Sequence, residues 1–308
     1  MQLFNKPKNQ IIFTKENCYD NCKIILAPKL IISNSEKDIN LFKEKTNIFL
    51  KTVYNECPNF NFERFLMNFE KTKFNIDIGN NSFGSYGGVT YNRKHVKYYI
   101  NTFGVAFHEF FHLSTSFYSS TLHSFFSGFH FRDNDFDLGV GINEGYTQLL
   151  TERYFKNGVE KTYLYEVEQA KLLEKIIGKD IMEEAYFKSS LNRLIFELEK
   201  YNTRENVIKY IENIDFIKNY YSYFGENKKE ENEKSLKTKI IKGYDFLYEC
   251  LKTKLKLLKQ NLSDEEFKKI IYELKKDKDW PEEYITNKLF EPNDEDIIKT
   301  YKKEIINQ

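Results

Sequence analysis

The stretch GVAFHEFFHLS, residues 104–114, places two histidines four residues apart in an almost entirely apolar segment. On an α-helix, four residues advance the chain by about 6 Å and rotate it by about 400°, so His108 and His112 project from one face, one turn apart. Glu109 lies about 100° around the axis from His108. An aromatic core helix explains the phenylalanines, but a buried carboxylate among them needs a partner. The segment therefore predicts a helix that is either aromatic core alone or a metal site with its own base.

A metal site is the interpretation that uses all three polar side chains. Two imidazoles one turn apart can reach one tetrahedral ion at about 2.0–2.1 Å each, and Glu109 is placed to act on a water molecule beside that ion. A catalytic zinc ion needs a third protein ligand and one open position. Metzincins supply a histidine six residues after the second histidine of the motif, where this chain has Tyr118. The third ligand must therefore come from elsewhere.

Downstream, the segment NEGYTQLL at residues 143–150 opens a stretch with helical character. HEFFH followed by NEGYTQLL resembles the gluzincin metallopeptidases, which pair H-E-x-x-H with a glutamate ligand on a following helix, often written N-E-G in the aminopeptidase branch. The resemblance implies that His108, His112 and Glu144 hold one zinc ion per chain and that Glu109 is the general base. It also implies an enzyme that hydrolyses peptide bonds in a peptide or protein substrate.

Two departures from the gluzincin pattern shape this expectation. Thermolysin-type gluzincins place an aspartate four residues after the glutamate ligand, where this chain has Gln148. An amide can accept an N–H hydrogen bond without adding charge, so Gln148 is a candidate to orient a zinc-binding histidine. The G-x-M-E-N element that grips a free amine in the aminopeptidase branch is absent, since YGGVTYN carries no carboxylate. This favours cleavage within a chain over removal of terminal residues.

Further roles are assigned to residues outside the two motifs. A donor for the developing oxyanion is expected, and Tyr186 in EEAYF and His130 are the candidates. The glycine-rich strand region that includes Gly87, Gly88 and Val89 is a candidate to bind an extended peptide along its edge. A glycine-rich hairpin that binds no substrate is an equal alternative.

Glu144 has a competing use as a calcium ligand. Asp133, Asp135, Asp137 and Glu144 fall at positions 1, 3, 5 and 12 of an EF-hand-like loop. Position 6, which needs glycine for the sharp turn, is Leu138, so the pattern fits poorly. The more ordinary alternative is that the acidic stretch is a solvent-exposed loop.

The hydrophobic pattern indicates an α+β fold. Helical spacing precedes Cys57, alternating strands with turns occupy residues 74–100, and helical periodicity dominates after residue 142. We therefore expect a mixed N-terminal lobe with a small sheet, the zinc-binding helix, and then a mostly helical C-terminal lobe. The predicted domains are a zinc metallopeptidase-like domain at 1–224, a charged linker at 225–235 and a helical region at 236–308. Two helix boundaries are also predicted, a stop at Gly178 and a capping box from Ser263 to Glu266.

Composition limits the classes of partner and compartment. Across 308 residues, Lys+Arg 47 against Asp+Glu 46 gives a formal charge of +1, which provides no overall attraction to nucleic acid or an anionic membrane. The first thirty residues hold no apolar signal core, and no run approaches the roughly 18 apolar residues of a membrane span. We therefore expect a cytoplasmic protein without nucleic-acid or membrane partners. Cys18 and Cys22 lack a second pair at ligand spacing, so the four cysteines are expected to be reduced.

The second class of function is a catalytically inactive zinc-binding regulatory or interaction protein, whose C-terminal helices form the partner surface. Glu109 argues against this class, because a structural zinc site needs no base. The two classes differ in the effect of Glu109→Gln. That change abolishes cleavage in an enzyme and leaves partner binding intact in a regulator.

Overall fold

The computed structural model of the chain describes residues 31–32, 36–71, 74–75, 90–92, 95–97, 106–155, 162–223 and 230–276. These residues form two compact units. Unit 1 contains the described parts of Met1–Phe117 and Thr151–Glu160, and unit 2 contains those of Tyr118–Leu150 and Lys161–Gln308.

The described part of unit 1 combines helices with two small strand pairs. Its helices are α1 (Glu36–Glu56), α2 (Phe62–Lys71) and α3 (Ala106–Thr115). The strands pair as β1 (Ile31–Ile32) parallel to β2 (Phe74–Asn75), and as β3 (Thr90–Asn92) antiparallel to β4 (His95–Lys97). The helix predicted before Cys57 is confirmed as α1.

An aromatic core centred on Phe49 of α1 joins α1, α2 and α3 in the described part of unit 1. Phe49 is 0% exposed, and six phenylalanine rings lie with their centroids 5.1–6.0 Å from its own: Phe60, Phe65, Phe107, Phe110, Phe111 and Phe155. Such aromatic pairs contribute about 0.5–1.5 kcal/mol each beyond the area they bury. Three of the six rings belong to α3, so the helix that carries the two histidines is part of this core.

The C-terminal end of α3 is held by polar side chains of α2. The side-chain nitrogen of the buried Asn68 donates to the carbonyl oxygens of Leu113 and Ser116, both at 2.7 Å. Arg64 donates to the carbonyl oxygen of Thr115 at 3.3 Å. The last carbonyl groups of a helix lack intrahelical partners and carry partial negative charge, so donors and a cation stabilise this end.

The polypeptide after α3 forms a four-stranded antiparallel sheet in the order β5-β6-β7-β8. Its strands are β5 (Phe117–Ser119), β6 (Ser124–Ser127), β7 (His130–Arg132) and β8 (Asp137–Leu138). Phe131 pairs with Phe126 on one side and with Leu138 on the other. The acidic stretch expected as an exposed loop therefore lies in a β-hairpin, and Asp137 is part of strand β8.

Helices make up most of the remaining described residues of unit 2. They are α4 (Val140–Tyr154), whose last four residues belong to unit 1, α5 (Leu164–Ile177), α6 (Lys179–Phe187), α7 (Leu191–Glu199), α8 (Arg204–Tyr223), α9 (Glu230–Asn261) and α10 (Asp264–Lys276). The long helix α9 packs against α8 and α5. Among the described helices, none combines the length and apolarity needed to cross a bilayer.

The α+β class and the helical C-terminal part are confirmed. Gly178 ends α5 with φ 107°, and Ser263 and Glu266 form the predicted capping box, in which the Ser263 amide donates to the Glu266 carboxylate at 3.0 Å. The second half of the predicted linker at 225–235 overlaps a helix. Residues from Glu230 onward are already helical in α9.

Candidate metal centre

His108 and His112 lie on the same face of α3, as their spacing predicts. Both are buried, with 5% and 6% of their surface exposed, and their Nε2 atoms are 3.0 Å apart. Two nitrogens bound to one tetrahedral zinc ion at about 2.0–2.1 Å are separated by about 3.3 Å. The imidazoles therefore already point to a common position close to that geometry.

Glu144 of α4 completes a group of three possible metal ligands. One ligand atom from each of His108, His112 and Glu144 lies within 4.8 Å of the others. Glu144 is half-buried, whereas the two histidines are buried. Two imidazole nitrogens and a carboxylate oxygen are donors that suit Zn²⁺ and other first-row divalent ions. The group could hold a metal ion.

Glu109, the predicted base, is 8% exposed and lies within the all-buried helix α3. The phenylalanines of this helix form core, and His108, Glu109 and His112 are buried on the same helix. A carboxylate in such surroundings is screened little by water, which strengthens its interaction with any nearby cation.

The segment that bears Glu144 approaches α5 closely. A β-carbon on Gly145 would lie 2.3 Å from the carbonyl oxygen of Glu166, near the start of α5. Glu166 is 4% exposed. Burial, and to a lesser degree the charge of Glu144, raises the pKa of Glu166 above its usual value. Glu166 is a buried carboxylate near a candidate ligand that periodicity and motifs could not identify, since it lies in an ordinary helical pattern.

His130, one candidate for the oxyanion donor, is paired with Asp137. Nε2 of His130 lies 2.6 Å from Oδ1 of Asp137, across strands β7 and β8. A carboxylate only accepts hydrogen bonds, so the imidazole donates. Partial burial favours the neutral acid, but the hydrogen bond and charge of His130 outweigh it and lower the pKa of Asp137. The imidazole is thus oriented by a carboxylate.

Tyr186, the other candidate, lies in the core of unit 2. It is 0% exposed, and its hydroxyl is 2.7 Å from Oγ1 of Thr147. The Thr147 hydroxyl itself donates to the carbonyl oxygen of Asn143 at 2.6 Å, so Tyr186 donates to Thr147. A catalytic role for Tyr186 stays a prediction.

Two further predicted roles concern Gln148 and the glycine-rich strand region. Gln148 is buried and its side-chain oxygen accepts from the hydroxyl of Thr162 at 3.3 Å; orientation of a histidine by Gln148 stays a prediction. The proposed substrate strand, Gly87, Gly88 and Val89, lies outside the described residues.

The acidic residues of the EF-hand-like pattern make local contacts. Oδ1 of Asp133 accepts from the amides of Asp135 and Phe136 at 2.9 and 2.8 Å, which closes the β7–β8 turn. Asp137 contacts His130. Glu144 is grouped instead with the histidines, so the contacts favour the His-His-Glu group over a calcium loop.

Comparison of the chain with known proteins found no matching family model, no matching curated protein and no matching solved structure.

Proposed function

We propose that the chain is a zinc-dependent peptidase of the gluzincin type that hydrolyses bonds within peptide or protein chains. The grouping of His108, His112 and Glu144 within 4.8 Å carries this proposal. It is supported by the order of the motifs along the sequence, in which a glutamate follows the first histidine and an N-E-G segment supplies the third ligand.

Zinc suits this donor set, and calcium and magnesium do not. His₂Glu with one open position is a catalytic zinc arrangement, whereas calcium and magnesium prefer oxygen ligands alone. The 3.0 Å separation of the histidine nitrogens is too short for two unrelated side chains, and either a shared hydrogen or a shared ion accounts for it. A carboxylate of Glu144 beside them favours the ion, since it supplies negative charge where a cation would sit.

A zinc ion in this position would act as a Lewis acid on the scissile carbonyl and make a water molecule more acidic. The carboxylate of Glu109 would accept the proton of that water and then deliver it to the leaving amine nitrogen. Glu109 follows His108 directly, so the base and the two histidine ligands are held by one helix whose phenylalanines are fixed in the core of unit 1. His130, oriented by Asp137, is the preferred donor for the developing oxyanion.

The first test measures zinc by inductively coupled plasma mass spectrometry on protein purified without an affinity metal. We expect about one zinc ion per wild-type chain, and zinc that is lost or much more weakly bound in His112→Ala and in Glu144→Ala. His123→Asn is the control, because His123 is exposed and its positive φ of 51° suits asparagine. Zinc that disappears in the control, or persists without Glu144, contradicts the proposed site.

A second measurement separates an enzyme from a binding protein. Glu109→Gln should retain zinc and lose roughly 10²–10⁴-fold in cleavage of a peptide library. A wild type that binds zinc at this site and cleaves no peptide in that library would instead support the regulatory alternative.

A further inference from the structure

Helix α4, which carries Glu144, is held at its start by a carboxylate from a distant part of the chain. Oδ2 of Asp215 accepts from the amide of Gly139 at 2.6 Å, and Oδ1 accepts from the amide of Gly141 at 2.7 Å. Asp215 belongs to α8, more than 70 residues later, and is 8% exposed.

This contact replaces a missing cap. The first amides of a helix lack intrahelical partners, and the residue just before the helix normally supplies a side-chain acceptor. Here that residue is Gly139, whose carbonyl oxygen accepts the first helical bond from the amide of Asn143 at 2.9 Å. Glycine is required there, because φ is +85° and a β-carbon would lie 2.1 Å from the carbonyl oxygen of Phe129. Since Gly139 has no side chain, the acceptor comes from Asp215.

The contact between Asp215 and the first turn of α4 lies close in sequence to the metal ligand Glu144. Glu144 lies three residues after Gly141, less than one turn along α4. A carboxylate with one oxygen on each of two amides restrains both the rotation and the axial position of that first turn. Ile214, the neighbour of Asp215, also packs closely against Gly141. A β-carbon on Gly141 would lie 2.8 Å from the carbonyl oxygen of Ile214. The first turn of α4 is therefore fixed by α8 through charge, hydrogen bonds and close packing.

We propose that Asp215 is a positioning residue for the metal ligand Glu144, which it places by holding the N-terminus of α4 without touching the metal. This inference rests on the proposed zinc site. A residue that merely stabilises the fold would change zinc affinity only as far as it changes folding. A positioning residue changes zinc affinity through Glu144 specifically.

A double-mutant cycle on the full chain tests this distinction. The dissociation constant for zinc would be measured by competition with a chromophoric chelator in the wild type, Asp215→Asn, Glu144→Ala and the double variant. We expect Asp215→Asn to weaken zinc binding by about tenfold in the wild-type background, the lower end of the effect of losing a direct partner of a ligand, because Asp215 acts on Glu144 only through the backbone of α4. We expect it to have no further effect once Glu144 is absent.

Val207→Ala is the matched control. Val207 is a 0% exposed residue of the same helix α8, so the change creates a cavity and lowers the melting temperature. Zinc affinity should remain at the wild-type value in this control, whereas Asp215→Asn should weaken zinc binding whatever its effect on melting temperature. For an enzyme, kcat should fall with zinc occupancy and recover at saturating zinc.

The outcomes separate the two proposals. Wild-type zinc binding that needs Glu144 but is unaffected by Asp215→Asn overturns the role of Asp215 alone. Equal weakening with and without Glu144 also overturns it, because the effect would then be a general one. Wild-type protein that binds no zinc, or binds it equally well without Glu144, overturns the proposed metal site and the role of Asp215 together.

Discussion

A β-carbon on Gly145 would lie 2.3 Å from the carbonyl oxygen of Glu166. The next atoms that it would meet are the carbonyl carbon of Glu166 at 2.4 Å and its β-carbon at 2.7 Å. Glycine is therefore needed in N-E-G because the backbones of α4 and α5 touch at this point, directly after Glu144. The motif thus combines a ligand with a packing requirement.

Gly145→Ala is expected to destabilise the protein, although alanine normally favours a helix over glycine by about 1 kcal/mol. The clash is with backbone, which cannot rotate away, so a net loss of about 1–3 kcal/mol is expected. Urea unfolding of the metal-free protein measures it. The control is Gly243→Ala in α9, where the nearest atom is the hydroxyl of Tyr165 at 2.3 Å, the end of a side chain that can move. Gly145→Ala must cost more than Gly243→Ala, and a Gly145→Ala protein more stable than wild type would contradict the close approach.

Asn68→Ala should destabilise the histidine helix. The change leaves the carbonyl groups of Leu113 and Ser116 without their buried donor, at a cost of about 2 kcal/mol. Asn68→Asp should cost more, because it keeps the shape, removes both donors and adds a negative charge at a helix C-terminus. Chemical denaturation at pH 7 gives both values. Asn206→Ala, at an exposed asparagine, serves as control and should stay within about 0.5 kcal/mol of wild type.

Local patterns in the sequence identified the features that depend on near neighbours. The spacing of His108 and His112 is enough to place them on one face of a helix, and the Ser263–Glu266 box is complete within four residues. The grouping of Glu144 with the histidines was reachable only through the resemblance of the two motifs to a family, since nothing in the spacing between them brings them together.

The contacts that hold these elements in place were not predictable in the same way. Asp215 caps the start of α4, more than 70 residues before it in the sequence. Asn68 caps the end of α3, more than 40 residues after it. In the sequence, each is an ordinary polar residue in a helical pattern. Strands β5 to β8 were missed because they are two to four residues long, too short for period-two alternation to be distinguished from a turn.

Metal-free stability should depend on pH through Asp215. Burial raises the pKa of Asp215 to about 6 despite the bonds from Gly141 and Gly139. An unfolded aspartate has a pKa of about 3.9, so protonation favours the folded state. This contribution is fully present below about pH 4 and is lost as the pH rises through about 6. The difference amounts to about 3 kcal/mol, from about 1.4 kcal/mol for each of about two pH units.

The measurement compares the free energy of unfolding of wild type and Asp215→Asn between pH 4 and pH 7.5. Wild-type stability should fall relative to the variant across this range. The charged groups that act on Asp215 are His130, which lowers its pKa, and Asp137, which raises it; Lys218 of the same helix α8 acts on Asp137. Repeating the comparison in a His130→Gln background removes the imidazole that acts on Asp215. If the difference in free energy of unfolding between wild type and Asp215→Asn does not change with pH in either background, the raised pKa of Asp215 is contradicted.

Removing the hydrogen-bond donor of His130 should lower kcat, whereas removing that of Tyr186 should not. His130 is partly exposed, with 14% of its side chain accessible, and Asp137 holds its imidazole. We expect His130→Gln to lower kcat by about 10²–10³-fold with zinc content and KM little changed, as loss of one oxyanion donor does.

Tyr186 is 0% exposed and its hydroxyl is bonded to Thr147, so Tyr186→Phe should lower the free energy of unfolding by about 1 kcal/mol and leave kcat near the wild-type value. Steady-state kinetics at saturating zinc, with melting temperatures measured in parallel, decide between them. A large loss of kcat in Tyr186→Phe with an active His130→Gln would reverse the assignment, and would require the buried hydroxyl to become accessible when substrate binds.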